Sequence, residues 1–393
     1  MKNNIFDIAS YDYDLPQNLI AQIPSDKPED ARLLICDIND WNLKLQNSFF
    51  RNLPELLEWE KIIFFNNSKV IKSRVLLDNA RILDPNWNEK YFKWEIFFLK
   101  QISWQTFDAL VNPGRKLKIW TKIIFEDMEF EIMDISEDGR IIKASKKDFL
   151  SWFEKNWIMP LPPYIAYDKS KEAAYQSVFA QTPWSVASPT ASLHFTNDLI
   201  SRLEDIGIKK EFATLHIWLG TFKVVDKEDI RDYDIHSETV EIDFDIFGKI
   251  AKYRQWNKTI LWVGTTITRT LESLPYLYKI LTSLENKTHN VCGNATREEI
   301  IKDIDLSTSQ KYIQNVQINW NKIIFETKIF IYPWFKFKIV DELITNFHLP
   351  KSSLLMMIWA FMWYENMLTT YDEAITEKYR FYSFGDGMRI KIV

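Results

Sequence analysis

Between about Val70 and Ala144 the sequence changes character and then changes back, and that switch limits the fold more than any other feature. Before it, Arg32–Ile38 and Lys61–Asn66 are apolar runs of strand length, with "FFRNLPELLE" between them a plausible helix. Within it come short β-rich runs ("WEIFFLK", "KIIFED", "EFEIMDI", "RIIKAS") separated by polar turns, the pattern of a small barrel or sandwich. After the stiff, extended "PLPPYI" the α/β character returns. "TNDLISRLEDIG" sets Leu199, Ile200, Leu203 and Ile206 on one helical face, with Gly207 placed for a left-handed cap. "FATLHI" is a strand, and "KTILWVGTT" is a strand entering a loop before the helix "ITRTLESL". The expected fold class is therefore an α/β mixed-sheet domain with an inserted all-β barrel-like domain. The expected boundaries are 1–69 and 160–393 for a discontinuous α/β catalytic domain, and 70–159 for the insertion.

A chain of 393 residues with 46% hydrophobic content can bury a sizeable core. Its net charge of −5 gives no global basic field, so any nucleic-acid contact must be local. The cysteines, Cys36 and Cys292, are too few for a disulfide framework, which fits a reducing compartment. The N-terminal "MKNNIFDIASYDYDL" lacks the apolar stretch of a secretory signal, and the longest apolar run, Leu354–Trp363, is too short to cross a bilayer. Both point to the cytoplasm. Following Ser352 and Ser353, that run suits a capped helix buried on all sides.

Glycine is scarce and tryptophan abundant: 9 against 16. Trp184 and Trp334 follow Pro, Trp41 follows Asp, and Trp87, Trp157 and Trp320 follow Asn. In each pairing glycine is the usual turn partner, because it alone accepts positive φ without steric cost.

The residues with chemistry in reach are few. Four of five histidines sit in compact motifs: His194 in "SLHFT", His216 in "TLHIW", His236 in "IHSE" and His348 in "NFHLPKS". Each is either a structural histidine or a site residue, and none has metal-ligand spacing, so no metal is expected. "VGTTITRTLES" has the strand–loop–helix setting that offers backbone N–H groups to a polar ligand, although Thr265 or Thr266 also serves as an ordinary helix cap there. "NPGRKLK" gathers Arg115, Lys116 and Lys118, as phosphate contacts or as a solvated turn.

As an ordered set these segments resemble the S-adenosylmethionine:tRNA ribosyltransferase-isomerases of queuosine biosynthesis, essentially end to end. The matching stretches include "FNNSKVIKSR", "NPGRKLK", "MPLPPYI", "YQSVFAQTPWSVASPTASLHFT", "FATLHIWLGTF", "IHSE", "VGTTITRTLES", "NFHLPKSSLLMM" and "YRFYSFGDGM". The resemblance implies transfer and isomerisation of the ribosyl group of S-adenosylmethionine onto 7-aminomethyl-7-deazaguanine in a tRNA anticodon. Epoxyqueuosine-tRNA forms, and adenine and methionine leave. It implies no resident cofactor, S-adenosylmethionine being consumed, no membrane partner, and a monomer.

Such chemistry needs a base for the proton beside the sulfonium. His194, His216, Glu238 and Glu272 are the candidates, with the two histidines favoured. The resemblance extends substrate binding to Pro189, Thr190, Thr214, Thr265, Thr266, Arg269, Asn346, His348 and Lys351, and tRNA contact to Arg115, Lys116 and Lys118. Pro28, Ser192 and Tyr233 depart from the family pattern. The family carries glycine where this chain has Trp59, Trp120, Trp157, Trp184, Trp218, Trp256, Trp334 and Trp363. A translational account fits: a UGA codon read as glycine in the cell is written as tryptophan by a table that assigns UGA to Trp. The alternatives are an inactive RNA-binding relative or, with genuine indoles, a carbohydrate-binding protein using aromatic platforms.

Overall fold

Lys61–Asn66 is buried at all six positions, as a strand flanked on both edges and covered on both faces must be. In the computed structural model, which describes residues 4–40, 42–58, 61–136, 139–217, 225–283 and 304–392, this strand lies inside a ten-stranded mixed sheet. Lys209–His216 and Thr259–Val263 flank it in parallel, and Glu342–Asn346 runs parallel beyond Thr259–Val263. Gly387–Ile392 follows antiparallel to Glu342–Asn346, then Arg32–Asn39 parallel to it, and Asn42–Phe49 forms the edge. On the other side Glu238–Asp243, Lys322–Thr327 and Ile313–Asn319 extend the sheet with antiparallel pairings.

Strand alternation builds two cores from this one sheet. Leu33 and Ile35 pack with Leu199 and Leu203 of the helix Asn197–Asp205, whereas Leu34 and Cys36 pack in the larger cluster with Leu271, Leu355 and Tyr371. That larger cluster receives the helices Thr265–Ser283, Ser353–Met362 and Tyr364–Thr376. The Ser352 hydroxyl accepts the Leu355 N–H and caps the apolar helix, which is buried as its sequence demands. One expectation shifts: Ile206 lies past the end of its helix and is exposed, while Gly207 takes φ +88°. Deep in the sheet Glu342 bonds Lys61 and, at 2.9 Å, Arg389, all three fully or nearly buried.

The chain separates into two compact units, Met1–Val70 with Leu161–Val393, and Ile71–Pro160. The second is a closed barrel of six antiparallel strands, ordered Arg140–Ala144, Thr106–Asn112, Glu89–Gln101, Arg74–Leu83, Lys122–Phe125 and Met128–Ile135. Met128, Phe130 and Ile132 alternate inward along one strand, and Phe149 and Trp152 of the helix Phe149–Asn156 join the same core. The all-β insertion is thus a barrel.

The tryptophans divide by backbone conformation. Trp87, Trp120, Trp184, Trp320, Trp334 and Trp363 have φ between +49° and +89°, a region L side chains avoid. The first five are also exposed. Of the eight positions at which the family carries glycine, Trp120, Trp184, Trp334 and Trp363 show this geometry, whereas Trp256 has φ −91° and Trp157 is not left-handed. Trp59, Trp218 and Trp41, like Cys292, lie outside the described residues.

Candidate active site

Three parallel strands end together. Lys61–Asn66, Thr259–Val263 and Glu342–Asn346 point their carboxyl ends the same way, the end at which open α/β sheets bind ligands. Gly264, at φ +95°, turns the chain directly from strand into the helix Thr265–Ser283 and donates its N–H to Ile344 O at 2.8 Å. The helix start therefore opens onto a cavity lined by Thr265, Thr266, Pro189, Thr190, Asn346 and His348, together with Tyr164, Ser188, Tyr382 and Ser383. Helix N-termini present unpaired N–H groups and a partial positive charge. Ser188 adds a buried hydroxyl with no protein partner.

Asn346, nearly fully buried, ties the walls together. Its Oδ1 accepts from Thr190 Oγ1 at 3.3 Å, and its Nδ2 donates to Tyr382 O, Asp386 O and His194 Nε2 at 3.1–3.3 Å. Those donations fix the His194 tautomer. Pro28 has no N–H, so the ring's hydrogen bond to the Pro28 backbone must be a donation to its carbonyl, leaving Nε2 to accept from Asn346. Burial pushes the His194 pKa down to about 3, with Arg380 adding to the effect. The ring also stacks on Phe50, centroids 4.1 Å apart.

Among the described residues, His348 is the one imidazole in the lining. Its Nε2 lies 2.9 Å from Thr345 Oγ1, and burial lowers its pKa to about 3, so the ring is neutral. Tyr164 Oη meets Ser383 Oγ at 2.7 Å, and burial raises the phenol to about 12.

The remaining candidates lie elsewhere. His216 and Thr214 are on the strand next to the cavity but not in its lining; Thr214 bonds Asn67 Oδ1 at 2.7 Å, and His216 Nδ1 is buried without a partner. Glu238 and Arg269 form a buried ion pair, with His236 Nε2 3.4 Å from the carboxylate. Glu272 accepts backbone N–H bonds from Lys338, Ile339 and Val340, each at 2.9 Å, and burial raises its pKa to about 6. Its carboxylate is the anchor of that loop. Lys351 pairs with Asp12 at 2.6 Å. Arg115, Lys116 and Lys118 are exposed on the barrel, where Arg140 pins their turn by donating to Gly114 O and Leu117 O. Among the described residues no cluster of His, Cys, Asp or Glu could hold a metal.

Tyr164, Ser188, Tyr382 and Ser383 were not singled out from the sequence. Their signals were the quoted segments "MPLPPYI", "SPTASLH" and "YRFYSFGDGM", in which only fold topology marks which side chains turn inward.

This arrangement is that of an α/β protein with a candidate site assembled from strand ends, one helix N-terminus and two returning loops. Residues 8–390 match the family model described as "Queuosine biosynthesis protein". A Clostridioides difficile protein named S-adenosylmethionine:tRNA ribosyltransferase-isomerase is 34% identical, over 97% of this chain and 98% of that one. A Carboxydothermus hydrogenoformans protein of the same name is 35% identical over 98% and 99%. A solved S-adenosylmethionine tRNA ribosyltransferase from Thermotoga maritima is 27% identical over 97% of this chain, with a TM-score of 0.47. The chain belongs to the queuosine biosynthesis protein family.

Proposed function

We propose that the protein is a cytoplasmic transferase that moves and isomerises the ribosyl group of S-adenosylmethionine onto 7-aminomethyl-7-deazaguanine in tRNA, releasing adenine and methionine. The observation that carries this reading is the cavity at the start of the helix Thr265–Ser283, with its buried hydroxyls. The N–H groups there suit the methionyl carboxylate. Thr265, Thr266, Thr190 and the unpartnered Ser188 supply further hydrogen bonds.

Proton removal beside the sulfonium falls, in this reading, to His348. Among the described residues it is the one imidazole lining the cavity, which places it within reach of a bound ligand. His194 then acts through Asn346 as a positioning residue, because it lies outside the lining of this cavity and its Nε2 accepts from the Asn346 amide. Glu272 and the Glu238–Arg269 pair hold the scaffold, and His216, with its unpartnered Nδ1, is the alternative acceptor. Arg115, Lys116 and Lys118 serve as phosphate contacts for the tRNA.

The same reading takes most of the tryptophans to be glycine in the living cell, supported by the left-handed backbone at six of them. Intact mass of the natively expressed protein decides that point, and indoles at Trp184 and Trp218 would overturn it. For the reaction, full-length protein is incubated with S-adenosylmethionine and tRNA carrying the modified base. Methionine and adenine are expected in equal amounts, dependent on that base; their absence with both the tryptophan-bearing chain and its glycine-bearing variant would refute the activity.

A further inference from the structure

Tyr382 breaks a backbone rule without the reason that covers the tryptophans. Its φ is +71°, an outlier for any bulky residue, and among the described residues it is the one left-handed aromatic that is not a tryptophan. It is 6% exposed and lines the cavity at the start of the helix Thr265–Ser283. Such strain persists only where the surroundings over-determine it, and it gathers at ligand sites. The surroundings here are specific. The Tyr382 N–H donates to Phe347 O at 3.1 Å, and its carbonyl accepts from Asn346 Nδ2 at 3.2 Å and from the Gly385 N–H at 2.9 Å. Asp386, nearly fully buried, closes the loop by accepting from the backbone N–H groups of Arg32 and Arg380 at 3.0 and 2.8 Å.

This loop sets the Tyr382 ring beside that of Tyr164, centroids 4.8 Å apart and planes tilted by 55°. The pair is locked a second time, because Tyr164 Oη bonds Oγ of Ser383, the residue next to Tyr382. Both rings line the cavity. Burial raises both phenols above their ordinary value, so at neutral pH each is an uncharged ring with a negative π face. Among the described residues the lining contains no Asp, Glu, Lys or Arg. A cation that enters therefore meets no carboxylate. A sulfonium also has no N–H or O–H to donate, so the hydroxyls and carbonyls of the lining give it no ordinary hydrogen bond. Aromatic faces do attract such a charge, and most strongly where water is excluded.

We propose that Tyr164 and Tyr382 are specificity-determining residues of this site, their ring faces holding the sulfonium of the donor and so selecting it over uncharged thioethers of similar shape. The inference rests on the proposed function, which brings a sulfonium to this cavity. It bears on release as well. When the bond from sulfur to the ribosyl carbon breaks, its electron pair passes to sulfur and the charge is gone, so the methionine that forms loses the contact that held its precursor.

The test is calorimetry on full-length protein with two ligands, S-adenosylmethionine and the uncharged S-adenosylhomocysteine, and the readout is the ratio of their Kd values. The unsubstituted protein should prefer the sulfonium at least about 10-fold, the scale of a desolvated cation–π contact. Tyr164→Leu and Tyr382→Leu should each lower that preference at least about 5-fold, whereas Tyr382→Phe, which keeps the ring face and the strained backbone, should hold it within about 2-fold. Retained S-adenosylhomocysteine binding shows that a variant has folded. Absence of a preference in the unsubstituted protein overturns the assignment without recourse to any variant. So does an equal loss for both ligands in the leucine variants, which makes the rings packing alone, or a loss in Tyr382→Phe as large as in Tyr382→Leu, which makes the hydroxyl the active group. In each of those cases turnover of S-adenosylmethionine with modified tRNA leaves the proposed function standing; a protein that neither binds nor turns over S-adenosylmethionine removes both.

Discussion

Replacing the five exposed left-handed tryptophans by glycine should stabilise the protein, and the gain can be worked position by position. Trp87, Trp120, Trp184, Trp320 and Trp334 sit at φ +63°, +70°, +89°, +49° and +74° with 59–101% of their surface in water, so truncation removes little burial. A left-handed L residue costs about 1–2 kcal/mol, and glycine returns about 0.5–1 kcal/mol of that through its larger unfolded-state entropy. The net is roughly 0.5–1 kcal/mol per site, or about 2.5–5 kcal/mol for all five. Trp87 and Trp120 belong to the barrel unit and the other three to the sheet unit, so two transitions must be followed rather than one. In urea unfolding, with m of about 1.5 kcal/mol/M, the Trp87→Gly, Trp120→Gly pair should move the barrel midpoint up by roughly 1 M. Trp256 provides the control: it is 50% exposed but has φ −91°, so Trp256→Gly should destabilise by about 0.5–1 kcal/mol. If all six substitutions destabilise alike, the backbone argument is wrong and the indoles contribute contacts of their own.

Three further outcomes follow from the site and its frame. His348→Ala should cut kcat by about 10²–10⁴-fold and abolish solvent exchange of the 5′ proton, with S-adenosylmethionine binding retained by calorimetry; full turnover would return the search to His216. His194 and His348 are buried neutral at about pKa 3, below the unfolded value near 6.5. Their stabilisation is complete above about pH 6.5 and is lost as pH falls toward 3, by about 1.4 kcal/mol per pH unit for each ring, so urea midpoints should drop over that window and the His194→Asn variant should drop less steeply. Glu342→Ala leaves Lys61 and Arg389 charged and buried, and should cost about 3–5 kcal/mol by urea titration of the sheet unit.

The sheet and the barrel were legible because their patterns are strong: KIIFFN is apolar throughout and EFEIMDI alternates, which leaves little choice of period. The capped apolar helix after Ser352 was equally plain. Strands such as Asn42–Phe49 and Ile313–Asn319 escaped notice because they are polar edge strands with one wet face. The site was half legible. Thr265 and Thr266 follow from a strand meeting a helix at a glycine, a local signal. Nothing local distinguishes His348, which lines the cavity, from His194, which is locked behind Asn346, because that difference depends on strands far apart in sequence. Nor does a Glu in a helix announce that three backbone N–H groups of a distant loop converge on it, as they do on Glu272.

The strand Gly387–Ile392 lies between Glu342–Asn346 and Arg32–Asn39, and without it the first hairpin has no neighbour in the sheet. During synthesis Arg32–Asn39 is made roughly 350 residues before the strand it must pair with, a wait of about 20–70 s at ordinary elongation rates. Throughout that interval one edge of a largely apolar strand is open to other chains, which makes the nascent protein a natural client for chaperones. The loop just ahead of the late strand brings Tyr382 and Ser383 to the cavity at the start of the helix Thr265–Ser283. A chain stalled before this segment therefore lacks one wall of that cavity as well as the strand that completes the sheet.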